Sequence, residues 1–302
     1  MWAGGKTQLI PTLTRRLPDM SGTYYEPFLG GGALFFYLRR HRLIQDAILS
    51  DSNQELITTY RYLQNGKFPA LIRLLAEYQR HFREDSQFFY HVRKQQPTTS
   101  LTIAARIIFL NRTCYRGLFR VNKDGEFNVP IGKKKKQDIV RNRFLSTVAS
   151  ALQHEGTAIT KGDFANIAKS AAPGDFIYFD PPYMPITSKG NFVGYTADGF
   201  TGDDWYRLVD LVQELHKDRV HIMISQSFSR PVRSAFENKE GWNIEVVNTD
   251  HIIGKREGYN QKRREVIIRS FWICDLVATD AKDIRRIKAQ VLVRIGTAAT
   301  AI

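Results

Sequence analysis

Cysteine is nearly absent: the chain holds Cys114 and Cys274 only, far apart and neither with a second thiol nearby. That excludes a disulfide framework or a thiolate zinc site and fits a reducing cytoplasm. The seven histidines show no metal-ligand spacing; His81 and His91 are merely close in sequence. No apolar run approaches the roughly 20 residues of a membrane span. Met1-Trp2-Ala3-Gly4-Gly5-Lys6 lacks the charged and apolar regions of a secretory leader. Internal repeats and low-complexity linkers are also missing. Acid is in short supply, with 30 Asp+Glu against 44 Lys+Arg, a formal charge of +14 and a pI near 9.8. A surplus of cations favours a polyanionic partner, because neutralised phosphates release condensed counterions, although a merely basic soluble protein shows the same balance. The expectation is a cytoplasmic, metal-free monomer or weak dimer.

What is present suits a globular protein: 43% hydrophobic and 25% charged residues over 302 positions, enough for one large domain and a smaller inserted or appended one. Tyr24–Phe28 reads as a short strand ending in the glycine turn Gly30-Gly31-Gly32, Ala33–Arg40 as a helix, and Ala47–Asp51 as the next strand. Such a unit implies a parallel sheet. From about Asn53 to Glu155 the texture turns helical, over Glu55–Tyr62, Phe68–Arg83 and Ile103–Asn111, rich in basic and aromatic residues. Asp124-Gly125, between two short β-prone runs, predicts a hairpin. The run Lys133–Lys136 beside it is either a solvated surface or a phosphate contact. After Glu155 the α/β texture returns: Phe176–Phe179 reads as a buried strand, Trp205–His216 as an amphipathic helix and Val220–Ser225 as another buried strand. Glu265–Phe271 is a late strand, paired in a hairpin with Ile244–Thr249. The expected architecture is one α/β domain, residues 1–54 and 156–275, interrupted by a mainly helical insertion over 55–155. A tail of unassigned role, 276–302, carries one further helix.

Asp180-Pro181-Pro182-Tyr183 follows the buried strand Phe176–Phe179 directly, where ligands of open α/β sheets bind. An exocyclic amine conjugated to a purine is a poor nucleophile because its lone pair is delocalised. Acceptors on both amine hydrogens, the Asp180 carboxylate and the Pro181 carbonyl, pull that nitrogen toward tetrahedral geometry. Pro181 and Pro182 stiffen the loop and aim the carbonyl, and Tyr183 offers an aromatic face to a base taken out of its stack. Asp-Pro-Pro is also an ordinary strand-end turn. Glu26-Pro27-Phe28-Leu29-Gly30-Gly31-Gly32 lets a ligand approach the backbone. Asp51, at the next strand end, is placed for ribose hydroxyls. These glycines are contiguous rather than spaced as Gly-x-Gly-x-x-Gly, so on this feature alone the cofactor is nucleotide-like and its identity open. Gly5-Lys6-Thr7 is no phosphate loop, since the required earlier glycine and preceding strand are missing.

In this order, these elements resemble the Dam-type (class alpha) DNA adenine-N6 methyltransferases, from Trp2 to about Phe271. Trp2-Ala3-Gly4-Gly5-Lys6 is similar to that family's N-terminal cofactor motif, Glu26–Phe35 to its glycine-rich motif and Asp51-Ser52-Asn53 to its ribose-binding strand end. Phe119-Arg120 through Gly125–Gly132 is similar to its recognition hairpin and the segment after it. Tyr195-Thr196, Gly199-Phe200 and Asp204 are similar to a loop after the catalytic motif. The resemblance implies a Rossmann-like methyltransferase sheet with an inserted target-recognition domain, S-adenosyl-L-methionine as cofactor and double-stranded DNA as partner, with GATC as the expected sequence; the alternatives are methylation of cytosine N4 and a catalytically silent DNA-binding protein that retains the fold. It implies cofactor contacts from Trp2, Ala3, Gly4, Lys6, Glu26, Pro27, Phe28, Gly30, Gly32, Asp51, Asp180 and, beside the adenine, Asp163 and Phe164. It implies catalysis by Asp180, Pro181, Pro182 and Tyr183. On the DNA side it implies Tyr115, Arg116, Leu118, Asn128, Pro130, Lys133 and Lys134, with Arg120 reading guanine; taken alone, Arg120 would be a phosphate contact. Lys255, Arg256, Lys262, Arg263 and Arg264 form a further basic cluster for the duplex. The chain departs from the family at Arg116, where the nearest members carry Asn, and before Trp2, where Met1 stands alone instead of a short basic extension.

Overall fold

The structure is a computed structural model, and it describes residues 6–66, 68–133, 137–183, 200–249 and 263–271. A 3-10 turn, Lys6–Gln8, leads into α1 (Ile10–Thr14), β1 (Tyr24–Glu26), α2 (Ala33–Arg40) and β2 (Ala47–Asp51). Five helices follow, α3 (Gln54–Gln64), α4 (Phe68–Glu84), α5 (Phe88–Lys94), α6 (Ser100–Thr113) and α7 (Asn142–Leu152). The chain then makes β3 (Thr157–Lys161), α8 (Phe164–Ala168), β4 (Phe176–Phe179), α9 (Gly202–Lys217), β5 (His221–Ser227), α10 (Arg230–Ser234), β6 (Asn243–Thr249) and β7 (Arg263–Arg269).

The seven strands form one sheet in the order β3-β2-β1-β4-β5-β7-β6. β1 to β5 are mutually parallel, while β7 runs antiparallel to both β5 and β6. The chain winds outward from β1 to β3, then returns to the other side of β1 for β4 and β5. The strand order therefore reverses between β1 and β4, and the crevice at their carboxyl ends is the natural ligand position of such a sheet. Alternation along the strands builds two cores. Phe176 and Tyr178 of β4 enter one with Tyr24, Leu49 and Met223, whereas Ile177 and Phe179 enter the other with Ile222, Ile224 and Trp205.

The helices between β2 and β3 share the first apolar cluster with that sheet face, through residues such as Ile57, Leu63 and Leu152. Arg106 on α6 is a polar tie inside them. It is 7% exposed, donates to both Glu55 carboxylate oxygens on α3 at 2.9 and 3.1 Å, and to the Arg93 carbonyl at 2.9 Å. Between α6 and α7 the chain makes a narrow ribbon rather than a full ladder. It is bridged at Cys114–Ile131 and Val121–Phe127. At its tip Gly125 takes φ +77°, a conformation glycine adopts without a Cβ clash, and the Asn122 side chain accepts from the Asp124 and Glu126 amides. The Asp-Gly hairpin expectation is met here, with a three-residue tip in place of a two-residue turn.

Several elements end one or two residues from their expected limits, and the first strand stops at Glu26 rather than Phe28 because Pro27 cannot donate to a neighbour. The expected further helix in the tail lies outside the described residues. Among the described residues no helix is long and apolar enough to cross a membrane. Arg106→Met removes the charged partner of Glu55 and the bonds to the Val92 and Arg93 carbonyls, so urea unfolding followed by circular dichroism should show a loss of about 3 kcal/mol. A loss below about 1 kcal/mol would mean that α3, α5 and α6 hold together on apolar packing alone.

Candidate active site

Two loops meet at the reversal of strand order. The first, after β1, runs Pro27–Gly32 into α2, whose N-cap Gly32 takes φ +59°. A Cβ there would stand 2.9 Å from the Phe36 ring, so the close turn needs glycine on both counts. The turn is tied to β2: the Leu29 amide donates to the Ser50 carbonyl at 2.8 Å and the Gly30 amide to Asp51 Oδ2 at 2.9 Å. Asp51 Oδ1 accepts the Asn53 amide at 2.9 Å, and the Tyr60 hydroxyl holds the Gly30 carbonyl. Burial raises the Asp51 carboxyl, and the two amides oppose that rise.

Glu26 faces inward. Only 2% exposed, its Oε2 accepts from the Tyr24 hydroxyl at 2.7 Å and the Phe35 amide at 3.2 Å, which fastens α2 beneath the turn. Burial pushes its carboxyl up to about 8. On the other side of the turn Phe28 stacks on Phe164 with centroids 5.2 Å apart and meets Phe200 edge-on at 5.7 Å. Asp163 caps α8 through the Ala165 amide and receives Arg207, whose guanidinium lies 5.1 Å from the centre of the Phe164 ring. Pro27, Phe28, Gly30, Gly32 and Asp51 are thus one structural unit around the turn, and Phe28 joins it to Phe164 and its neighbour Asp163.

The second loop, after β4, carries Asp180-Pro181-Pro182-Tyr183. Lys6, 6% exposed, lies 3.2 Å from Asp180 Oδ1 and 3.2 Å from Glu265 Oε2, and it also donates to the Tyr183 hydroxyl. That hydroxyl donates to Glu265 Oε1 at 2.8 Å. The Ser225 hydroxyl on β5 reaches Asp180 Oδ1 at 3.0 Å and contacts the Tyr178 hydroxyl at 2.8 Å. Gln226 donates to the Pro182 carbonyl at 3.2 Å. Lys6 and Ser225 therefore both occupy Oδ1. Among the described residues nothing bonds Asp180 Oδ2 or the Pro181 carbonyl. Burial opposes the Lys6 charge, but Asp180, Tyr183 and Glu265 outweigh it and keep the ammonium protonated. Burial likewise raises Asp180, with Lys6 pulling it down and Glu265 pushing it up.

The sequence motifs pointed to Lys6, Asp180 and Tyr183 but not to Glu265 or Ser225. Glu265 opens the apolar run Val266–Ile268 and is 3% exposed. A carboxylate at an inward strand position needs a partner, and that was the available signal. Ser225 looks like any small residue of a buried strand, and nothing in the sequence singles it out. On the ribbon, Tyr115, Leu118 and Asn128 are half-buried, while Arg116, Arg120, Pro130 and Lys133 are exposed. Arg120 Nε donates to Asn128 Oδ1 at 2.6 Å, and Arg116, at φ +57°, lies over the Tyr115 ring at 5.1 Å. Trp2, Ala3, Gly4, Lys134, Tyr195, Thr196, Gly199, Lys255, Arg256 and Lys262 lie outside the described residues, as does the Arg263 side chain; Arg264 stacks over Phe228 at 4.3 Å. Among the described residues no group of three or more His, Cys, Asp or Glu could hold a metal ion.

Residues 2–251 match the family described as D12 class N6 adenine-specific DNA methyltransferase. The chain is 33% identical over 276 residues to the type II methyltransferase M1.LlaDCHI of Lactococcus lactis subsp. cremoris, covering 89% of this chain and 94% of that one. It is 35% identical over 267 residues to the type II methyltransferase M.MjaIII of Methanocaldococcus jannaschii, covering 83% and 91%. It is 27% identical over 275 residues to the DNA adenine methylase of Escherichia coli (strain K12), covering 88% and 92%.

With Glu26 at about 8 in the fold against an ordinary 4.5, the folded state holds an extra proton between those values, and stability falls as pH rises through that window. Glu26→Gln keeps an acceptor for Tyr24 and Phe35 but has no proton to lose. Urea unfolding at pH 5 and pH 8 should find the native protein losing stability relative to the variant at the higher pH; parallel pH dependence would mean that Glu26 ionises normally.

Proposed function

Since the chain belongs to the D12 class of N6 adenine-specific DNA methyltransferases, we propose that it takes its methyl group from S-adenosylmethionine and delivers it to an adenine swung out of a DNA duplex into the pocket of Asp180, Pro181, Pro182 and Tyr183. The observation that carries this reading is the division of labour on Asp180: one oxygen is held by Lys6 and Ser225, and the other is left for a ligand.

The crevice residues fit the cofactor's parts. The close backbone turn at Gly30 and Gly32 and the carboxylate of Asp51 suit a nucleoside sugar, while Phe28 and Phe164 offer apolar faces beside Asp163 for its base. Trp2, Ala3, Gly4, Lys6, Pro27 and Asp180 complete the proposed cofactor contacts, with Glu26 shaping the turn from below. When bound, S-adenosylmethionine supplies an electrophilic methyl group on a positively charged sulfur. Asp180 Oδ2 and the Pro181 carbonyl accept the two hydrogens of the adenine amine and localise its lone pair. Tyr183 stacks its ring on the extruded base, which offsets part of the few kcal/mol that unstacking costs. As the new N–C bond forms and the methyl–sulfur bond breaks to leave a neutral thioether, the nitrogen would gain positive charge and become acidic, and Asp180 Oδ2 would take the departing proton. Its raised proton affinity suits that step. Most of the remaining contribution is positioning.

Residues 1–54 and 156–275 act as the catalytic part, and 55–155 as the recognition part. Its ribbon would present Tyr115, Arg116, Leu118 and Arg120 to base pairs, with Asn128, Pro130, Lys133 and Lys134 beside them. Within GATC, Arg120 would read guanine through O6 and N7. Lys255, Arg256, Lys262, Arg263 and Arg264 would meet phosphates, consistent with the overall charge of +14.

Methyl transfer from labelled S-adenosylmethionine to duplexes with and without GATC, followed by nucleoside analysis, tests the reading. N6-methyladenine should form on the GATC duplex. Methyladenine on other sequences would move the recognition site and leave the chemistry standing. Asp180→Ala should cut turnover by about 1000-fold or more with duplex binding retained; near-native turnover in that variant would remove Asp180 from the reaction.

A further inference from the structure

We propose that Glu265 is a positioning residue for methyl transfer: from β7 it holds the Tyr183 hydroxyl with one carboxylate oxygen and the Lys6 ammonium with the other. The proposal rests on the reading of Asp180–Tyr183 as the catalytic pocket. Three contacts close a ring: Lys6 donates to Tyr183, Tyr183 donates to Glu265 Oε1 at 2.8 Å, and Lys6 reaches Glu265 Oε2 at 3.2 Å. The third proton of the ammonium goes to Asp180 Oδ1 at 3.2 Å. An ammonium has three N–H groups, one for each of these partners. The Tyr183 hydroxyl is held by Lys6 and Glu265 together, and the Lys6 ammonium also lies 4.3 Å from the centre of the Tyr183 ring.

Packing of the sheet alone does not call for an acid at this position. Glu265 pairs with Ser227 on β5 and Val247 on β6, and the residues that follow it, Val266, Ile267 and Ile268, are fully buried and apolar. A carboxylate at 3% exposure is costly to desolvate and persists only where its partners compensate, and here those partners are two residues of the pocket. Without Glu265, Lys6 would have Asp180 as its one remaining carboxylate partner in this ring, and the Tyr183 hydroxyl would lose its bond to β7. The orientation of Tyr183 and the share of Lys6 that falls to Asp180 both depend on β7.

Glu265→Gln keeps the size and one acceptor but replaces the other with an N–H group that faces a donor. Single-turnover methyl transfer should slow by about 10- to 100-fold, the cost of small misplacement at a reacting centre, while cofactor and duplex binding change little. The acid limb of the rate profile should also move to lower pH. Asp180 is faced by Lys6 from the N-terminal turn, Glu265 from β7, Tyr183 from its own loop, Glu26 and Tyr24 from β1 and Tyr178 from β4. Of these, Glu265 is a negative neighbour that favours its proton. A purely structural role would lower the rate at every pH and leave the limb in place.

Glu265→Asp should recover part of the rate, and it serves as the test if the glutamine variant does not fold. Glu265→Gln placed on a Tyr183→Phe background should cost much less than on the native chain, because the two residues act as one unit. Native rate with an unmoved limb in folded Glu265→Gln, or full additivity with Tyr183→Phe, overturns the proposal. Near-native activity of Asp180→Asn would instead overturn the reading of the pocket itself, so the two failures are distinct.

Discussion

A single buried ammonium holds the pocket together. Lys6 arrives from the N-terminal turn, Asp180 and Tyr183 from the loop after β4, and Glu265 from β7, so three parts of the chain converge on one cation. Four acids crowd this end of the sheet, Glu26, Asp51, Asp180 and Glu265, in a protein whose net charge is +14. Three devices accommodate them: Glu26 holds its proton to higher pH, Asp51 accepts two amides, and Asp180 and Glu265 share Lys6. The charge pattern is thus layered, an acidic crevice set within a basic exterior. Such an arrangement suits a positively charged donor inside and a polyanion outside.

Much of this was readable before any coordinates. α2, β2 and β4 fall where hydrophobic pattern and turn residues put them, because each is bounded by unambiguous punctuation: glycine before α2, Asp-Pro-Pro after β4. The late antiparallel pair β6 and β7 was visible as two β-prone runs. Less legible were α5 and α7. The first is only seven residues of mostly aromatic and basic character, and the second mixes serine, threonine and valine, which weakens any helical signal.

The site shows the same split. Asp180 and the glycine turn stand in local motifs, so the sequence exposes them. Glu265 and Ser225 matter through partners 82 and 45 positions away, and a contact of that kind leaves no local trace. Glu26 is the instructive intermediate. Its motif marks it as part of the cofactor turn, and its Oε2 holds both Tyr24 and Phe35, so it braces the turn from within. The ribbon between α6 and α7 is held together largely by its backbone and by Asn122, with the basic side chains left to the surface.

The position of β7 in the sheet has a consequence for biosynthesis. β6 is made before β7 but, among the described residues, has no neighbour in the sheet except β7, which slots between it and β5. On a ribosome, β6 emerges with nothing to pair with, and the acid that completes the Lys6 ring follows sixteen residues after β6 ends. A nascent or prematurely terminated chain can therefore own every motif that marks this enzyme, from the glycine turn to Asp-Pro-Pro-Tyr, and still lack a finished pocket. The ring around Lys6 closes only once Glu265 has been made, 82 residues after Tyr183.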